Sequence, residues 1–161
     1  MILYKLTTQD GWTRKGKRNA CLWGAGVTHS GTGKGDLCGP GFIHAYTSPE
    51  LAVLFNPIHA NIRDPKLWES EGEVAKTDRG AKVGCVSLTT LRELPLPVAT
   101  DEIRRRFAML CVDAALAAVA GEVAGDEPWQ RTYREKVAEW RDAMARGDDG
   151  AAADAANAAA T

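Results

Sequence analysis

The chain has 161 residues, 45% of them apolar, with 20 basic and 21 acidic side chains and a net charge of −1. That length suits one domain with an appended tail, and the charge balance excludes a polyanion binder built on bulk positive charge. No run nears the ~20 apolar residues of a membrane span, and Met1-Ile2-Leu3-Tyr4-Lys5 lacks the basic and apolar regions of a secretory leader.

Charge is unevenly spread. Residues 1–99 hold 12 basic and 9 acidic side chains, a balance of +3, and residues 100–161 hold 8 and 12, a balance of −4. Residues 1–8 alternate as a strand, and Gln9-Asp10-Gly11 signals a turn. Residues 12–41 contain eight of the sixteen glycines and read as a Gly-rich connection with short strands, one around Cys21-Leu22-Trp23. Phe42 to Thr47 is a second strand. Ser48-Pro49-Glu50 then starts a helix with an N-cap serine and a first-turn proline. Its apolar face is Leu51, Leu54 and Phe55, and Asn56-Pro57 should end it.

Leu67 to Val74 alternates as a strand, Thr77-Asp78-Arg79-Gly80 is a turn, and Lys82 to Val86 completes a hairpin. Thr89 to Leu94 reads as a further short strand closed by Pro95 and Pro97. Thr100 caps a long helix with an apolar stripe of Ile103, Phe107, Leu110, Cys111, Ala114 and Ala118. After Pro128 a second helix carries Trp129, Tyr133, Val137, Trp140 and Met144 along one face, suited either to the sheet or to a helix–helix dimer contact. From Gly147 the chain is a low-complexity alanine tail. The sum is an α+β fold: an antiparallel sheet of about five or six strands packed with two or three helices. The expected division is a ligand-binding domain over 1–122, an amphipathic helix over 123–147 and a tail over 148–161.

Few residues point to bond-breaking chemistry. Gly31-Thr32-Gly33-Lys34-Gly35 tempts a phosphate-loop reading, but Thr28 stands where the first glycine belongs and no helix is expected next. His29, His44 and His59 are dispersed, and Cys21, Cys38, Cys85 and Cys111 lack zinc-ligand spacing, so no metal is expected; free thiols suit a reducing cytoplasm. There is no G-x-S-x-G elbow. Glu69, Glu71 and Glu73 read as a solvated sheet face. No catalytic residue and no cofactor is expected.

Three segments could bind an anion. Arg104-Arg105-Arg106 crowds cations into a helix start, with Asp101 and Glu102 placed to pair with Arg105 and Arg106; it is either a solvated face or a phosphate clamp. Trp12, Arg14, Lys15, Lys17, Arg18 and Trp23 interleave aromatic and cationic groups, as either a basic loop around a core tryptophan or a surface for a phosphorylated ring. Asn56, His59, Asn61 and Arg63 cluster between helix and strand, for capping or for reading a base edge.

Taken together, LWGAGVTHSGTGKGDLCGPGFIHAYTSPELAVLFNPIHANIRDPKLWESEGEV, KVGCVSLTTLRELPLP and IRRRFAMLC resemble the first family of phage anti-Thoeris sponges, over roughly residues 1–115. They are also similar to small phage proteins with a G-F-H-x-Y/C-x-x-P strand–helix unit. The resemblance implies a non-enzymatic protein that sequesters glycocyclic ADP-ribose in the cytoplasm of an infected bacterium. Some family members also hold CBASS cyclic di- and trinucleotides in separate pockets of a hexamer, a trimer of dimers. It further implies adenine stacking on Trp23, with Asn61 and Arg63 near the ligand. Arginines among Arg104, Arg105 and Arg106 of a partner's helix would clamp the diphosphate, and Lys82, Thr89 and Thr90 would serve a second pocket. The family's helix arginines lie one turn apart, whereas these three are consecutive. Self-association as a dimer or hexamer is therefore expected, with no DNA, RNA or membrane partner. The alternative is a phage structural or protein-interaction module with no small-molecule ligand.

Overall fold

A computed structural model describes residues 1–78, 80, 82–118 and 120–148. The chain divides into two compact units between Val98 and Ala99. The first holds strands β1 (Ile2–Thr7), β2 (Trp12–Thr13), β3 (Cys21–Leu22), β4 (Thr28–Ser30) and β5 (Ile43–Ala45), helix α1 (Pro49–His59), and strands β6 (Lys66–Asp78) and β7 (Lys82–Leu94). The second holds α2 (Asp101–Ala118), α3 (Ala120–Val123) and α4 (Pro128–Arg146). The class is the α+β fold expected, with a five-stranded antiparallel sheet and a separate β2–β3 ribbon among the described residues.

The sheet is organised by the long β6–β7 hairpin. β1 pairs with the first half of β6, while β5 and β4 pair with successive parts of β7. Tyr4 and Tyr46 exchange two backbone hydrogen bonds of 2.9 Å, which join β5 back to β1. Thus β1, β6, β7 and β5 form a closed ring of pairings. Leu3, Trp23, Ala45, Val83, Cys85 and Leu88 form one buried cluster, and Leu6, Tyr46, Ala52 and Leu67 another. β1 serves both clusters because its alternate side chains leave opposite faces.

The hairpin differs from the sequence reading in two ways. The separate strands expected at 82–86 and 89–94 are one strand, and the strand expected at 67–74 extends to Asp78. Register shifts at Glu69/Ser70, Glu73/Val74 and Val74/Lys76 let this hairpin bend without breaking. Ser87 and Leu88, between the two expected strands, are held by pairing with Ser30 and His29. The expected Thr77–Gly80 turn includes Arg79, which lies outside the described residues.

Helix α1 begins as read, with Ser48 Oγ accepting from Leu51 N at 3.2 Å. It does not stop at Asn56-Pro57 but runs to His59. Pro57 sits in the last turn, where only its own bond to an earlier carbonyl is forfeited. The Asn56 side chain fastens the exit, donating to Ile62 O at 2.8 Å and accepting from Ile62 N at 3.0 Å.

In the second unit, Thr100 Oγ1 accepts from Ile103 N at 3.2 Å, the cap expected for α2. Glu127 and Gln130 form a reciprocal capping box on α4, and Gly147 ends it in the left-handed region at φ 74°. Ion pairing of Arg141 with Asp113 links α4 to α2. Ala143 is the one fully buried apolar residue described here, while Ile103, Leu110, Cys111, Ala114 and Ala118 are exposed. The expected stripe of α2 is therefore not a core face: two antiparallel helices share only a narrow line of contact. The alanine tail from 149 lies outside the described residues.

Candidate functional site

The first unit contains a cleft of about 510 Å³, within the range of about 300–1,000 Å³ usual for small-molecule sites. Among the described residues its cationic lining is Lys5 from β1, Arg14 and Lys17 from the loop between β2 and β3, and Lys82 from the start of β7. Trp23, Phe42, Tyr46, His44 and His59 supply rings, and among the described residues no aspartate or glutamate lines it.

Lys5 reaches this position by strand alternation. It shares a face of β1 with Leu3 and Thr7, and only 9% of it is exposed. Its Nζ donates to His44 O at 2.7 Å and lies 5.2 Å from the centre of the Trp23 ring. Burial strips water from the ammonium and lowers the Lys5 pKa from 10.5 to about 8. Lys82 is 6% exposed; its Nζ contacts Cys38 Sγ at 3.1 Å. Neither lysine has a carboxylate within ion-pair distance among the described residues. Buried cations are ordinarily paired, so two unpaired ones on one cleft mark a place where an anion would be favoured.

The glycine-rich segment forms one wall. Gly31, Gly39 and Pro40 line the cleft. Gly31 N donates to Val86 O at 2.8 Å, Gly33 N to Gly41 O at 2.9 Å, and Lys76 Nζ to Gly35 O at 2.6 Å. His44 Nε2 donates to Leu37 O. A side chain on Gly41 would overlap Lys34 O, so this wall is compact only with glycine there. No helix follows Lys34, so the segment is not a phosphate loop.

Opposite chemistry comes from α1. His59 stacks on Phe55 with centroids 4.9 Å apart and on Tyr46 at 6.0 Å, and the Tyr46 hydroxyl and His59 Nδ1 share a hydrogen bond of 3.5 Å. Desolvation first, then the Lys82 cation, lowers the His59 pKa; desolvation also lowers that of His44. Both imidazoles are therefore biased towards the neutral form. Burial raises the Tyr46 hydroxyl to about 12 and the Cys85 thiol to about 11.

The sequence-derived residues divide. Trp23 and Lys82 line the cleft, and Arg14 and Lys17 join them from the interleaved N-terminal segment. Trp23 is 4% exposed, with Nε1 donating to Thr13 Oγ1 at 2.9 Å and the His29 ring edge-on at 4.5 Å. Asn61 and Arg63 are exposed and outside the lining; Asn61 is left-handed at φ 47°. Asn56 is the turn fastener described above. Thr90 is buried, with Oγ1 donating to Gly24 O at 2.5 Å, and Thr89 pairs with Thr28 through hydroxyls 2.8 Å apart. Neither threonine lines the cleft. Arg104, Arg105 and Arg106 lie on α2 of the second unit, and among the described residues no ion pair joins Glu102 to Arg106. Glu71 and Glu73 are exposed, and Glu69 pairs with Arg92 at 2.9 Å, as a solvated face requires. Lys5 was missed: a lysine alternating inside a strand looks like any solvent-facing residue until the partner on that face is known. The described residues contain no group of three His, Cys, Asp or Glu placed to hold a metal.

No known protein family, curated protein or solved structure matches the chain.

Proposed function

We propose that this protein binds a phosphorylated, ring-bearing small molecule in the cleft of its first unit and holds it without altering it. The observation that carries the reading is the pair of buried lysines, Lys5 and Lys82, facing a cleft whose described lining holds no carboxylate. Arg14 and Lys17 add further cations, and the rings of Phe42, Tyr46 and His59 line the cleft where a base would contact them. Retention needs affinity alone, and a sequestering protein needs binding near nanomolar, about −12 kcal/mol.

The finer reading follows the family resemblance of the sequence. The guest is a cyclic nucleotide signal such as glycocyclic ADP-ribose, sequestered by a phage against bacterial Thoeris immunity. CBASS cyclic oligonucleotides are a second ligand class. A second copy presenting Arg104, Arg105 and Arg106 would add charge for a diphosphate. A competing reading, a protein-contact module, is favoured by the exposure of Leu110 (60%) and Trp129 (58%) on α2 and α4.

The test is calorimetric titration with a cyclic ADP-ribose isomer, a cyclic dinucleotide and inorganic pyrophosphate, followed by heat release and mass analysis of the ligand. Binding with intact recovery is expected, and Lys82→Gln should weaken it about tenfold, or 1.4 kcal/mol. Altered product would make the protein an enzyme; no binding by any of the three would remove the cleft from consideration. The triple alanine variant at 104–106 separates a one-chain site from one completed by a second copy.

A further inference from the structure

The Lys82 contact has a chemical consequence of its own. Its Nζ lies 3.1 Å from Cys38 Sγ, and this is its one hydrogen-bonding contact among the described residues. Cys38 is exposed, whereas Cys85 is buried, and all four thiols are free. The pair is held in place from both sides. Lys82 begins β7, paired with Asp78 of β6, while Cys38 follows Leu37, whose carbonyl is bonded by His44, and precedes Gly39, whose N–H donates to Asp36 O at 2.8 Å. A solution oxidant therefore reaches a sulfur whose nearest nucleophile is a desolvated amine.

We propose that Cys38 and Lys82 constitute a modification site, at which peroxide drives formation of a reversible sulfur–nitrogen cross-link. In the first step Sγ attacks hydrogen peroxide, the O–O bond breaks, and a sulfenic acid and water form. Lys82 gives its extra proton to solvent, and the neutral Nζ attacks Sγ. The S–N bond forms as the S–O bond breaks, and the hydroxyl leaves as water with a proton from nitrogen. Thiol, amine and peroxide thus become a sulfenamide and two waters; sulfur is oxidised and peroxide reduced. External thiol attack on the sulfur frees the amine and leaves a mixed disulfide, and a second thiol releases the Cys38 thiol with loss of an external disulfide. The link removes a cation from the cleft, so oxidation weakens anion binding; this last consequence rests on the function proposed above, and the cross-link does not.

The full chain is treated with hydrogen peroxide, with and without the sulfenic-acid trap dimedone, and its peptides are mapped by mass. The expected product joins the Cys38 and Lys82 peptides with loss of two hydrogens, disappears with dithiothreitol and is absent from Cys38→Ser. In Lys82→Gln, dimedone should label Cys38 several-fold more than in the unsubstituted chain. Should that variant fail to fold, the link and its thiol reversal in the unsubstituted chain still decide. Full dimedone labelling of the unsubstituted chain with no linked peptide overturns the proposal. A link that leaves pyrophosphate affinity unchanged supports the modification site and counts against the anion-binding cleft.

Discussion

Lys5 shows how a single side chain can set both stability and recognition. Its ammonium is desolvated, and its pKa falls to about 8 from 10.5, so between these values the unfolded chain holds the proton more firmly than the folded one. The folded state is penalised by on the order of 3 kcal/mol below about pH 8, and the penalty is relieved as pH rises. Cys85, raised from 9.0 to about 11, and Tyr46, raised from 10.0 to about 12, act oppositely: above their unfolded values the folded chain keeps protons that the unfolded chain releases. Urea titrations should show stability rising from about pH 8 to 9 and falling above 10. Lys5→Met should raise stability at neutral pH, remove the rise and weaken pyrophosphate binding about tenfold or more. In the unsubstituted chain, anion affinity should fall as pH climbs through about 8, where the cation is lost. Affinity independent of pH across that window would take Lys5 out of the site.

At the scale of elements, the glycine-rich wall and the exit of α1 carry the cleft. Gly41 approaches the Lys34 carbonyl too closely for any Cβ. Gly41→Ala should destabilise the fold by about 1–3 kcal/mol, as overpacking does, and should weaken ligand binding because Gly39 and Pro40 move with it. Asn56→Ala removes two hydrogen bonds to Ile62 and leaves backbone groups unsatisfied, a loss of about 1–3 kcal/mol in denaturant titration. The same change should displace Ala60 and Ile62, which line the cleft, and so weaken ligand binding as well. A variant with unchanged stability would show that Ile62 is held by its packing alone.

For the molecule as a whole, the division between Val98 and Ala99 is the testable feature. The first unit has its own sheet, its own two apolar clusters and every described residue of the cleft. A fragment of residues 1–98 should therefore unfold cooperatively and retain pyrophosphate binding. Loss of binding from a folded fragment would place an essential contact on the second unit, where Arg104, Arg105 and Arg106 lie. The second unit buries little apolar surface among its described residues, so helix content in an isolated 99–161 fragment should depend on concentration, read by circular dichroism.

The sequence by itself determined the fold class, the caps at Ser48 and Thr100, the hairpin, and the basic, aromatic character of the N-terminal segment. These follow from local periodicity and short-range hydrogen bonding, which neighbouring residues suffice to express. Tertiary structure alone decided that β7 is continuous, that Thr90 bonds loop carbonyls and that Lys5 faces Trp23. It also brought Cys38 to Lys82. Each depends on contacts between residues distant in the sequence, and alternation along one strand cannot name what the opposite face will meet.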